Sequence, residues 1–509
     1  MLKFTYSLRC RALGTAFLLL CLAWTVSAQS SDAVRVTLLQ VNDVYQFIPV
    51  DRGTRGGLGR ILTLRKQIQA ESSNTLLLLG GDTISPSVES LMYKGAQMID
   101  AWNAVGLDYA VFGNHEFDFG PQVLLDRVKD SHFTWLNANV VDNKTGATIA
   151  ATPPYVVREI GGVKIGIIGL VLPETKRTSK PGPDTDFLNV CDTAKKYIPQ
   201  MLSEGAGVIV ALTHLSLRED KELAVCADVD LIIGGHEHTL LQSFAGHATI
   251  FKMTADAREL GQFDLYINKK TGRLESMDWQ VHKVDSTIPE DPAFMTAMGK
   301  YKSYLQTLGK PAGRTKEPLD ARSAANRQQE TNIGSFVADS FRQALLTDVA
   351  LLNGGSVRAD EIIQPGPLTE RDILSILPYA DPLIKLQVDG KTLRAALEHG
   401  LARLGPGAQP GEFLQVSGLR LVYDAKRPPD ARLVSVTVGT QPLNDTKTYT
   451  VAMSRYMAEG GDGYAMFKDV PPLNKPETAP KTTDVLRAAI VGAKAQTIAP
   501  VLDGRIKAQ

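Results

Sequence analysis

Short apolar runs alternate with amphipathic segments from residue 34 to about residue 255, and this pattern predicts a layered α/β domain. The runs are rich in leucine and β-branched residues, which favours strands buried on both faces. They are Val34–Val41, Thr75–Leu79, Tyr109–Phe112, Val163–Leu170, Val208–Leu212 and Leu231–Ile233. Almost every run ends in a polar cluster. Because open α/β sheets gather ligands at the carboxyl ends of their strands, we expect these clusters to converge on one crevice.

The polar clusters after these strands contain half of the chain's eight histidines. They are Asn42-Asp43, Gly81-Asp82, Gly113-Asn114-His115, Thr213-His214 and Gly235-His236-Glu237-His238. Carboxylate, imidazole and amide oxygen are the ligands that divalent cations need, and paired metals usually share a bridging carboxylate. One such Asp or His alone is more often a helix cap or a hydrogen-bonded structural residue. Their joint placement after successive strands predicts a metal site.

The pattern changes after Val284, where a helix is predicted over Pro292–Leu308, followed by a stretch with Gly and Pro that is typical of a linker. Beyond it, a helix is predicted over Asn332–Leu346 and a strand over Val349–Leu352, with further alternation through Met453. We therefore expect a first domain at residues 29–285, a linker with a helix at 286–318 and a second domain at 319–509.

The first 28 residues are typical of a secretory signal. Basic residues precede an apolar stretch from Leu13 to Val26, and Val26-Ser27-Ala28 is a small-residue cleavage site. An uncleaved membrane anchor is the alternative, although the stretch is short for a spanning helix. The final residues are charged, so we expect no lipid-anchor signal there. The prediction is a periplasmic or secreted protein without stable membrane insertion.

Composition sets further limits on function. At 509 residues and 44% hydrophobic content, the chain is too long for a single core, so two large domains are expected. Lys plus Arg and Asp plus Glu both number 55, and no long run of one sign is present. Binding along the phosphate backbone of a nucleic acid polymer is therefore not indicated. The oligomeric state is left open.

Two cysteines, Cys191 and Cys226, follow the predicted signal. Cys191 lies near the start of one predicted helix and Cys226 near the end of the next. If these helices pack side by side on a parallel sheet, the sulfurs lie near opposite ends, too far apart for a bridge. We expect two buried thiols, with a disulfide as the alternative.

These motifs resemble, in order and spacing, the calcineurin-like metallophosphoesterase domain of 5′-nucleotidases and UDP-sugar hydrolases. The matching segments are Asn42-Asp43, Gly80-Gly81-Asp82, Gly113-Asn114-His115-Glu116-Phe117-Asp118, Thr213-His214 and Gly234-Gly235-His236-Glu237-His238. The resemblance implies an α/β and α+β fold, with a layered α-β-β-α catalytic domain followed by a smaller mixed α/β substrate-binding domain. It also implies two divalent ions, Zn²⁺ or Mn²⁺. One would be held by Asp43, Asp82 and His238, and the other by Asp82, Asn114, His214 and His236, with Asp82 as the bridge.

The resemblance assigns His115 and Asp118 as a catalytic dyad. Such a histidine can stabilise charge on phosphoryl oxygens, and a carboxylate partner raises the pKa of an imidazole. A hydroxide held by the metals would attack phosphorus in line with the departing nucleoside oxygen.

Tyr45 departs from the family pattern, which usually has Asp-x-His where this chain has Asp43-Val44-Tyr45. The tyrosine could be core packing, a phenolate ligand, or the mark of a site left open to water. Phenol must lose a proton before it binds a metal strongly. Our hypothesis from sequence is that Tyr45 does not ligate a divalent ion and that water completes the first metal's shell.

The second domain carries segments that resemble the substrate-binding motifs of the 5′-nucleotidase C-terminal domain. They are Asn353-Gly354-Gly355-Ser356-Val357-Arg358, Leu377-Pro378-Tyr379 and Tyr456 to Tyr464. By position, Tyr379 and Tyr456 match the aromatic residues that clamp the base, and stacking suits every base. Asp462 matches the ribose-hydroxyl acceptor and Asn353 a contact to the base. Arg327 and Arg358 match phosphate-binding arginines.

The function expected from this resemblance is release of phosphate from nucleoside 5′-monophosphates. Two alternatives stay open among hydrolases: a 2′,3′-cyclic nucleotide phosphodiesterase with 3′-nucleotidase activity, and a UDP-sugar pyrophosphatase. An alternative of another class is a nucleotide-binding protein that has lost catalysis, with Tyr45 as the sign of decay.

Overall fold

Two six-stranded sheets packed face to face, with helices outside them, form the first half of the chain. A computed structural model describes residues 32–405, 408 and 410–509; the predicted signal, with Cys10 and Cys21, lies outside these residues. The strands are β1 (Ala33–Val41), β2 (Thr75–Leu79), β3 (Tyr109–Val111), β4 (Thr134–Leu136), β5 (Val140–Asp142), β6 (Tyr155–Ile160), β7 (Val163–Val171), β8 (Thr185–Phe187), β9 (Val208–His214), β10 (Leu231–Gly234), β11 (Leu241–Ala245), β12 (Ala248–Lys252), β13 (Glu259–Asn268) and β14 (Leu274–Lys283). The helices are α1 (Leu58–Glu71), α2 (Val88–Tyr93), α3 (Ala96–Val105), α4 (Pro121–Asp130), α5 (Thr175–Thr178), α6 (Val190–Ser203) and α7 (Leu217–Cys226).

The strand order explains why the apolar runs are nearly continuous. The first sheet runs β14-β13-β1-β2-β3-β4 and the second runs β11-β12-β10-β9-β7-β6. In β2, Leu76 and Leu78 face the core between the sheets, whereas Leu77 and Leu79 pack in the cluster that includes α1 and α3. A strand covered on both faces must be apolar at every position. The layered α-β-β-α prediction is confirmed.

Parallel pairing brings the strand ends together. β1, β2, β3 and β4 are parallel in the first sheet, and β7, β9, β10 and β12 are parallel in the second. The carboxyl ends of β1, β2, β3, β9 and β10 lead directly into the polar clusters. The topology therefore places the predicted metal residues along one edge of the sandwich.

Helices connect this sandwich to the second half. The segment predicted as a helix is formed by α8 (Pro292–Ala297), a 3-10 turn (Met298–Tyr301) and α9 (Lys302–Leu308). It is followed by β15 (Pro311–Thr315), which pairs with β19 and β26 of the second half although it lies in the predicted linker. The domain boundaries stay a prediction.

The second half is a mixed α/β unit with two apolar clusters. Its further strands are β16 (Leu319–Asp320), β17 (Val349–Asn353), β18 (Ile362–Ile363), β19 (Gly366–Thr369), β20 (Leu383–Asp389), β21 (Leu414–Ser417), β22 (Leu419–Tyr423), β23 (Leu433–Val438), β24 (Gln441–Pro442), β25 (Thr448–Ser454), β26 (Thr497–Ile498) and β27 (Ile506–Ala508). Its helices are α10 (Ser323–Asn326), α11 (Asn332–Leu345), α12 (Glu370–Ile376), α13 (Gly390–Leu401), α14 (Arg455–Ala458) and α15 (Thr482–Val491). A central sheet, β20-β25-β17-β21, packs against α11. The predicted helix at Asn332 and the strand at Val349 are both present.

The expectation of two free thiols is wrong, because Cys191 and Cys226 form a disulfide with Cα atoms 6.0 Å apart. Both residues occupy the helix positions predicted for them. The incorrect assumption concerned packing: the first turn of α6 lies against the last turns of α7, and Cys191 Sγ lies 3.8 Å from the Glu222 carbonyl oxygen. The helix ends are thus not aligned as side-by-side packing would require.

Among the described residues, none of the helices combines the length and the apolarity needed to cross a bilayer.

Candidate functional site

Four predicted metal residues adopt an unusual backbone conformation at the strand ends. Asp43, Asp82, His236 and His238 have φ values of 53°, 59°, 87° and 52°. Non-glycine residues occupy this left-handed region uncommonly, and such strain concentrates at functional sites when the surroundings enforce it. At each of these positions the chain turns sharply as it leaves the edge of the sandwich.

Asp82 lies between the two predicted metal positions. Its Oδ2 is 3.2 Å from the Tyr45 hydroxyl on one side and 3.2 Å from His214 Nε2 on the other. Its Oδ1 accepts a hydrogen bond of 2.8 Å from the His115 backbone N–H. Gly113 permits this close approach, because a Cβ there would lie 2.0 Å from Asp82 Oδ1. One carboxylate oxygen therefore lies between Tyr45, which neighbours the first predicted ligand set, and His214 of the second set, a position that suits a bridge.

Asp43 is fixed through one oxygen and open at the other. Its Oδ2 accepts hydrogen bonds from Asn42 Nδ2 at 2.8 Å and from the His236 backbone N–H at 2.9 Å. Its Oδ1 lies 3.1 Å from His238 Nε2. Two donors on Oδ2 leave Oδ1 as the atom directed at the neighbouring ligand residues.

Two buried polar atoms beside Asp82 make no hydrogen bond within the described part of the chain. His214 donates from Nδ1 to the Gly80 carbonyl at 2.8 Å, so its Nε2 would offer a lone pair to a metal ion once the imidazole is neutral. Among the described residues, neither His214 Nε2 nor Asn114 Oδ1 makes a hydrogen bond. One ligand atom each from Asp43, Asp82 and His214 lies within 4.8 Å of the others. Unpaired buried acceptors are costly, so these residues fit a divalent cation between them.

The charges around this cluster favour a cation. Burial would raise the pKa of Asp43, but the His238 imidazole outweighs it and lowers the pKa to about 2. Burial would lower the pKa of His214, but Asp82 outweighs it and raises the pKa to about 10. The pKa of His236 falls well below its usual value because of burial and the nearby His214. The carboxylates that hold a proton on His214 would hold a metal ion in its place.

Tyr45 lies inside the cluster. Its hydroxyl oxygen is 2.9 Å from His238 Nε2 and 3.3 Å from Asp43 Oδ1. The side of His238 that faces away from Tyr45 meets the second half of the chain, since its Nδ1 lies 3.7 Å from Asp360 Oδ2. Burial, together with Asp82 and Asp43, raises the pKa of Tyr45 well above its usual value.

The predicted dyad is formed. His115 begins a 3-10 turn, His115–Phe117, in the loop after β3. This turn brings the Asp118 carboxylate beside the imidazole of His115. His115 Nδ1 donates to Asp118 Oδ2 at 2.7 Å. Arg358, from the second half, lies 3.2 Å from His115 Nε2 through its Nη2. The dyad thus presents Nε2 to the space where the two halves meet.

A cavity of about 860 Å³ lies between the two halves. Its lining contains His115, Asp118 and four predicted metal residues, namely Asp82, Asn114, His236 and His238, together with all six predicted substrate residues, namely Arg327, Asn353, Arg358, Tyr379, Tyr456 and Asp462. Asp43 and His214 are fully buried behind this lining. Residues from both halves of the chain therefore meet in one cavity. For the first half, this convergence was predicted from the position of the polar clusters at the strand ends.

The arginines of the cavity are short of acidic partners. Within the described residues, neither Arg327 nor Arg358 pairs with a carboxylate, and Arg327 Nε is buried without a hydrogen-bond partner. Burial and the neighbouring Arg358 lower the pKa of Arg327. Two half-buried guanidinium groups without a carboxylate partner among the described residues are suited to bind an anion.

Three pocket residues hold one another in place. Tyr456 donates its hydroxyl to Asp462 Oδ1 at 2.8 Å, and Asn353 Nδ2 donates to Asp462 Oδ2 at 2.6 Å. Asp462 lies in a 3-10 turn, Gly461–Gly463, and has a φ of 51°. The Tyr456 hydroxyl therefore serves to hold Asp462 in place.

Glu116 is a residue that sequence reasoning quoted but gave no role. It is fully buried and accepts hydrogen bonds from the backbone N–H groups of Asp82, Thr83, Ile84 and Gly113 at 2.5–3.1 Å. Burial raises its pKa to about 7. Glu116 therefore ties the loop after β2 to the loop after β3. Nothing in the segment Asn114-His115-Glu116 distinguishes a buried glutamate with this role from an exposed one.

Lys252 was missed altogether. Its fully buried Nζ donates to the Leu215 carbonyl at 2.6 Å and to the Gly235 carbonyl at 2.8 Å, and it pairs with Asp220 at 2.8 Å and with Glu237. These carbonyls flank His214 and His236 in the chain. Lys252 thus joins the loops after β9 and β10. A lysine inside the otherwise apolar run Ile250-Phe251-Lys252-Met253 was the available signal.

Two sequence families match the chain. A calcineurin-like phosphoesterase family matches residues 36–240, and the 5′-nucleotidase C-terminal domain family matches residues 311–469. The first match contains all six predicted metal residues and the dyad. The second contains all six predicted substrate residues.

Full-length relatives agree with these matches. A snake venom 5′-nucleotidase of Naja atra is 31% identical over 490 residues, 85% of this chain and 92% of that protein. The 5′-nucleotidase of Homo sapiens is 29% identical over 94% of this chain and 92% of its own length. The crystal structure of a 5′-nucleotidase precursor from Thermus thermophilus superposes with a TM-score of 0.85 at 29% identity, covering 93% of this chain and 99% of that one.

Proposed function

The chain belongs to the 5′-nucleotidase family of calcineurin-like phosphoesterases, and from this membership we propose that it releases phosphate from nucleoside 5′-monophosphates with two divalent metal ions. It is a metal-dependent phosphoesterase. The observation that carries the narrower proposal is the cavity, whose lining joins four of the predicted metal residues and His115 to two tyrosines and to two arginines that pair with no carboxylate among the described residues. A site for a nucleotide needs both parts of this lining: charged groups that stabilise the phosphate and flat aromatic side chains that stack on the base.

The proposed ligand sets use every strand-end cluster. Asp43, Asp82 and His238 would hold one ion, and Asp82, Asn114, His214 and His236 the other. When bound, the two ions supply Lewis acidity toward the phosphate and a hydroxide nucleophile at neutral pH. Zn²⁺ and Mn²⁺ both suit this mixture of carboxylate, imidazole and amide ligands.

The chain's own residues orient the phosphate. Arg327 and Arg358 would bind its oxygens through charge-assisted hydrogen bonds. Phosphate bound by Arg358 would take the place of its contact with His115 Nε2, which lies 3.2 Å away. His115 would then donate a proton from Nε2 to a phosphoryl oxygen, while Asp118 holds Nδ1–H at 2.7 Å and fixes the orientation of the ring.

The remaining pocket residues would bind the nucleoside. Tyr379 and Tyr456 would stack on the base, and Asp462 would accept hydrogen bonds from ribose hydroxyls. Asp462 is already held by Tyr456 and Asn353, so its carboxylate needs little reorganisation when the ribose arrives.

A substrate panel tests this proposal. We expect the metal-loaded protein to give its highest kcat/KM with AMP or another nucleoside 5′-monophosphate. UDP-glucose, 2′,3′-cyclic AMP and an aryl phosphate should each give a lower value. If the cyclic nucleotide or UDP-glucose is preferred, the substrate assignment is wrong and the phosphoesterase chemistry remains. Nucleotide binding without release of phosphate from any substrate would support loss of catalysis.

We also propose that the protein is exported to the periplasm or secreted. The N-terminal sequence and the Cys191–Cys226 disulfide both support this, since such bridges persist in oxidising compartments. N-terminal sequencing of the protein from its native fraction should give a first residue near Gln29. Recovery of an intact N-terminus in the cytosolic fraction would contradict the proposal.

A further inference from the structure

Asp462, which the proposed function assigns to the ribose, has a backbone conformation that few residues other than glycine adopt. It lies in the 3-10 turn Gly461–Gly463 with a φ of 51°, between Gly460 and Gly463, whose φ values are 93° and 82°. The two glycines occupy this left-handed region at little cost, whereas an aspartate there is strained and is kept in place by its surroundings. The position of the Asp462 carboxylate therefore depends on the contacts that hold the turn.

Three residues hold Asp462 through all four of its polar atoms. The Tyr456 hydroxyl donates to Oδ1 at 2.8 Å and accepts from the Asp462 backbone N–H at 3.1 Å. Asn353 Nδ2 donates to Oδ2 at 2.6 Å. The backbone carbonyl oxygen of Asp462 lies 2.8 Å from His399 Nε2. Because a carbonyl oxygen can only accept a hydrogen bond, His399 Nε2 carries a proton and donates it.

His399 differs from the other two partners in its position. Tyr456 and Asn353 line the cavity, where a bound nucleoside would touch them, whereas His399 is not among the described residues of that lining. It lies in the last turn of α13 and reaches the backbone of Asp462, not its carboxylate. His399 would therefore act on a bound nucleotide through Asp462 and not by direct contact.

The ring of His399 is itself fixed by packing. It lies edge-on to the ring of Tyr464, with the two centroids 4.8 Å apart. Tyr464 is fully buried and donates its hydroxyl to the Glu412 carbonyl. The His399 ring also meets the backbone of Gly463, because a Cβ at Gly463 would lie 2.8 Å from His399 Cε1. These contacts leave the imidazole little freedom to rotate, so Nε2 stays opposite the Asp462 carbonyl.

We infer that His399 is a positioning residue for recognition of the ribose. Its hydrogen bond to the Asp462 carbonyl fixes the turn and keeps the carboxylate where hydroxyl groups of the ribose can reach it. This role rests on the proposed function, in which Asp462 accepts hydrogen bonds from those hydroxyls. Loss of His399 should weaken the use of substrates that carry ribose hydroxyls and spare those that lack them.

The test compares two substrates that differ only in these hydroxyls. For each protein, kcat/KM is measured with AMP and with 2′,3′-dideoxyAMP, and the ratio of the two values does not depend on the fraction of protein that is folded. The parent should prefer AMP. His399→Ala should lower this preference by roughly tenfold, as expected for a weakened hydrogen bond to a charged group, with a higher KM for AMP and an unchanged kcat. Its kcat/KM for the dideoxynucleotide should equal that of the parent.

Two further variants complete the comparison. His399→Gln places an amide N–H within reach of the same carbonyl and should restore most of the preference for AMP. His282→Ala is the matched control, because His282 is also half-buried and its Nε2 lies 2.8 Å from Gln262 Oε1 in the first half of the chain. The preference of this control for AMP should equal that of the parent.

An unchanged ratio in His399→Ala would overturn the inference, whether both nucleotides lose kcat/KM equally or neither does. A ratio in His399→Gln as low as that in His399→Ala would also overturn it, because the hydrogen bond would then not be the cause. A parent that uses both nucleotides equally, or neither, would reject the ribose site of the proposed function itself. That failure is seen in the parent and is thus distinct from one confined to the variants.

Discussion

The proposed metal centre and the proposed nucleotide pocket share one cavity but are held in different ways. The metal residues follow parallel strands, and buried hydrogen bonds to neighbouring backbone fix them: His214 to Gly80 at 2.8 Å, and Asp43 to His236 at 2.9 Å. The pocket residues come from a strand end, a short helix and loops of the second half, and side chains fix them, as Tyr456 and Asn353 fix Asp462.

Because of this difference, the buried strand-end loops fix the positions of the metal residues, whereas the pocket residues can vary. Glu116 and Lys252 each join two strand-end loops from a fully buried position, so the metal residues cannot shift independently. Pocket residues can be exchanged one at a time without breaking the sheets. We therefore expect changes at the metal centre to be severe and changes in the pocket to be graded and substrate-specific.

The largest effect should follow from Asp82→Asn. It removes negative charge from both proposed metal positions, because Asp82 belongs to both proposed ligand sets and its Oδ2 lies 3.2 Å from both the Tyr45 hydroxyl and His214 Nε2. Turnover of AMP should fall by more than about a thousandfold, with fewer bound metal equivalents and an unchanged circular dichroism spectrum. Parental turnover by this variant would show that Asp82 does not bridge.

Lys252→Met tests whether the buried lysine that joins the loops after β9 and β10 stabilises the first half of the chain. It leaves the fully buried Asp220 and the half-buried Glu237 beside an apolar side chain, and breaking such a buried pair costs about 3–5 kcal/mol of unfolding free energy. Urea denaturation measures this. Lys385→Met is the control from the second half, since Lys385 also donates to two carbonyls, those of Leu345 and Leu346, but is partly exposed. It should cost about 1 kcal/mol. Equal losses would remove the contrast between the two regions.

The disulfide lies in the same half as the metal centre but away from its ligands. Replacing both Cys191 and Cys226 by Ser opens a loop with a sequence separation of 35, which should lower the unfolding free energy by about 2–4 kcal/mol. Because neither sulfur contacts a metal residue, kcat/KM for AMP at 25 °C should stay at the parental value. A large loss of activity in the folded variant would mean that the α6–α7 contact supports the site.

The smallest effects should come from the pocket. Tyr379→Ala or Tyr456→Ala removes a stacking surface worth roughly 1–3 kcal/mol, so kcat/KM for AMP should fall by about 10–100-fold. Aryl phosphate, which has no base to stack in the same place, should be nearly unaffected. Tyr456→Phe separates two roles, since it keeps the ring and removes the hydroxyl bonded to Asp462. Equal losses on both substrates would assign the tyrosines to folding instead of binding.

The metal centre and the nucleotide pocket also differ in how much of each could be predicted from the sequence. The strand ends could be placed because apolar runs mark buried strands and parallel pairing aligns their carboxyl ends. That argument alone brings Asp43, Asp82 and His214 together. It says nothing about Tyr456 or Arg358, whose convergence depends on how a short helix and a loop of the second half are placed. Those residues could be proposed only through resemblance to a family.

What could not be predicted depends on three-dimensional packing. Two thiols were expected, with the disulfide as the alternative, because side-by-side helices would separate the sulfurs. The offset between α6 and α7 leaves no trace in the spacing of Cys191 and Cys226. Lys252 and Glu116 act through backbone groups of other loops, which have no side-chain signature in the sequence. The position of the Tyr45 oxygen depends on a turn held by Asp256, 211 residues away.

The most direct test of the account is phosphate release from AMP by metal-free protein before and after metal is restored. Protein stripped with a chelator should release no phosphate above background. Activity should return as Mn²⁺ or Zn²⁺ is added and should reach its maximum near two equivalents per chain. Undiminished AMP hydrolysis by protein shown to be metal-free would contradict the two-metal phosphoesterase described here, as would fully loaded protein that releases no phosphate.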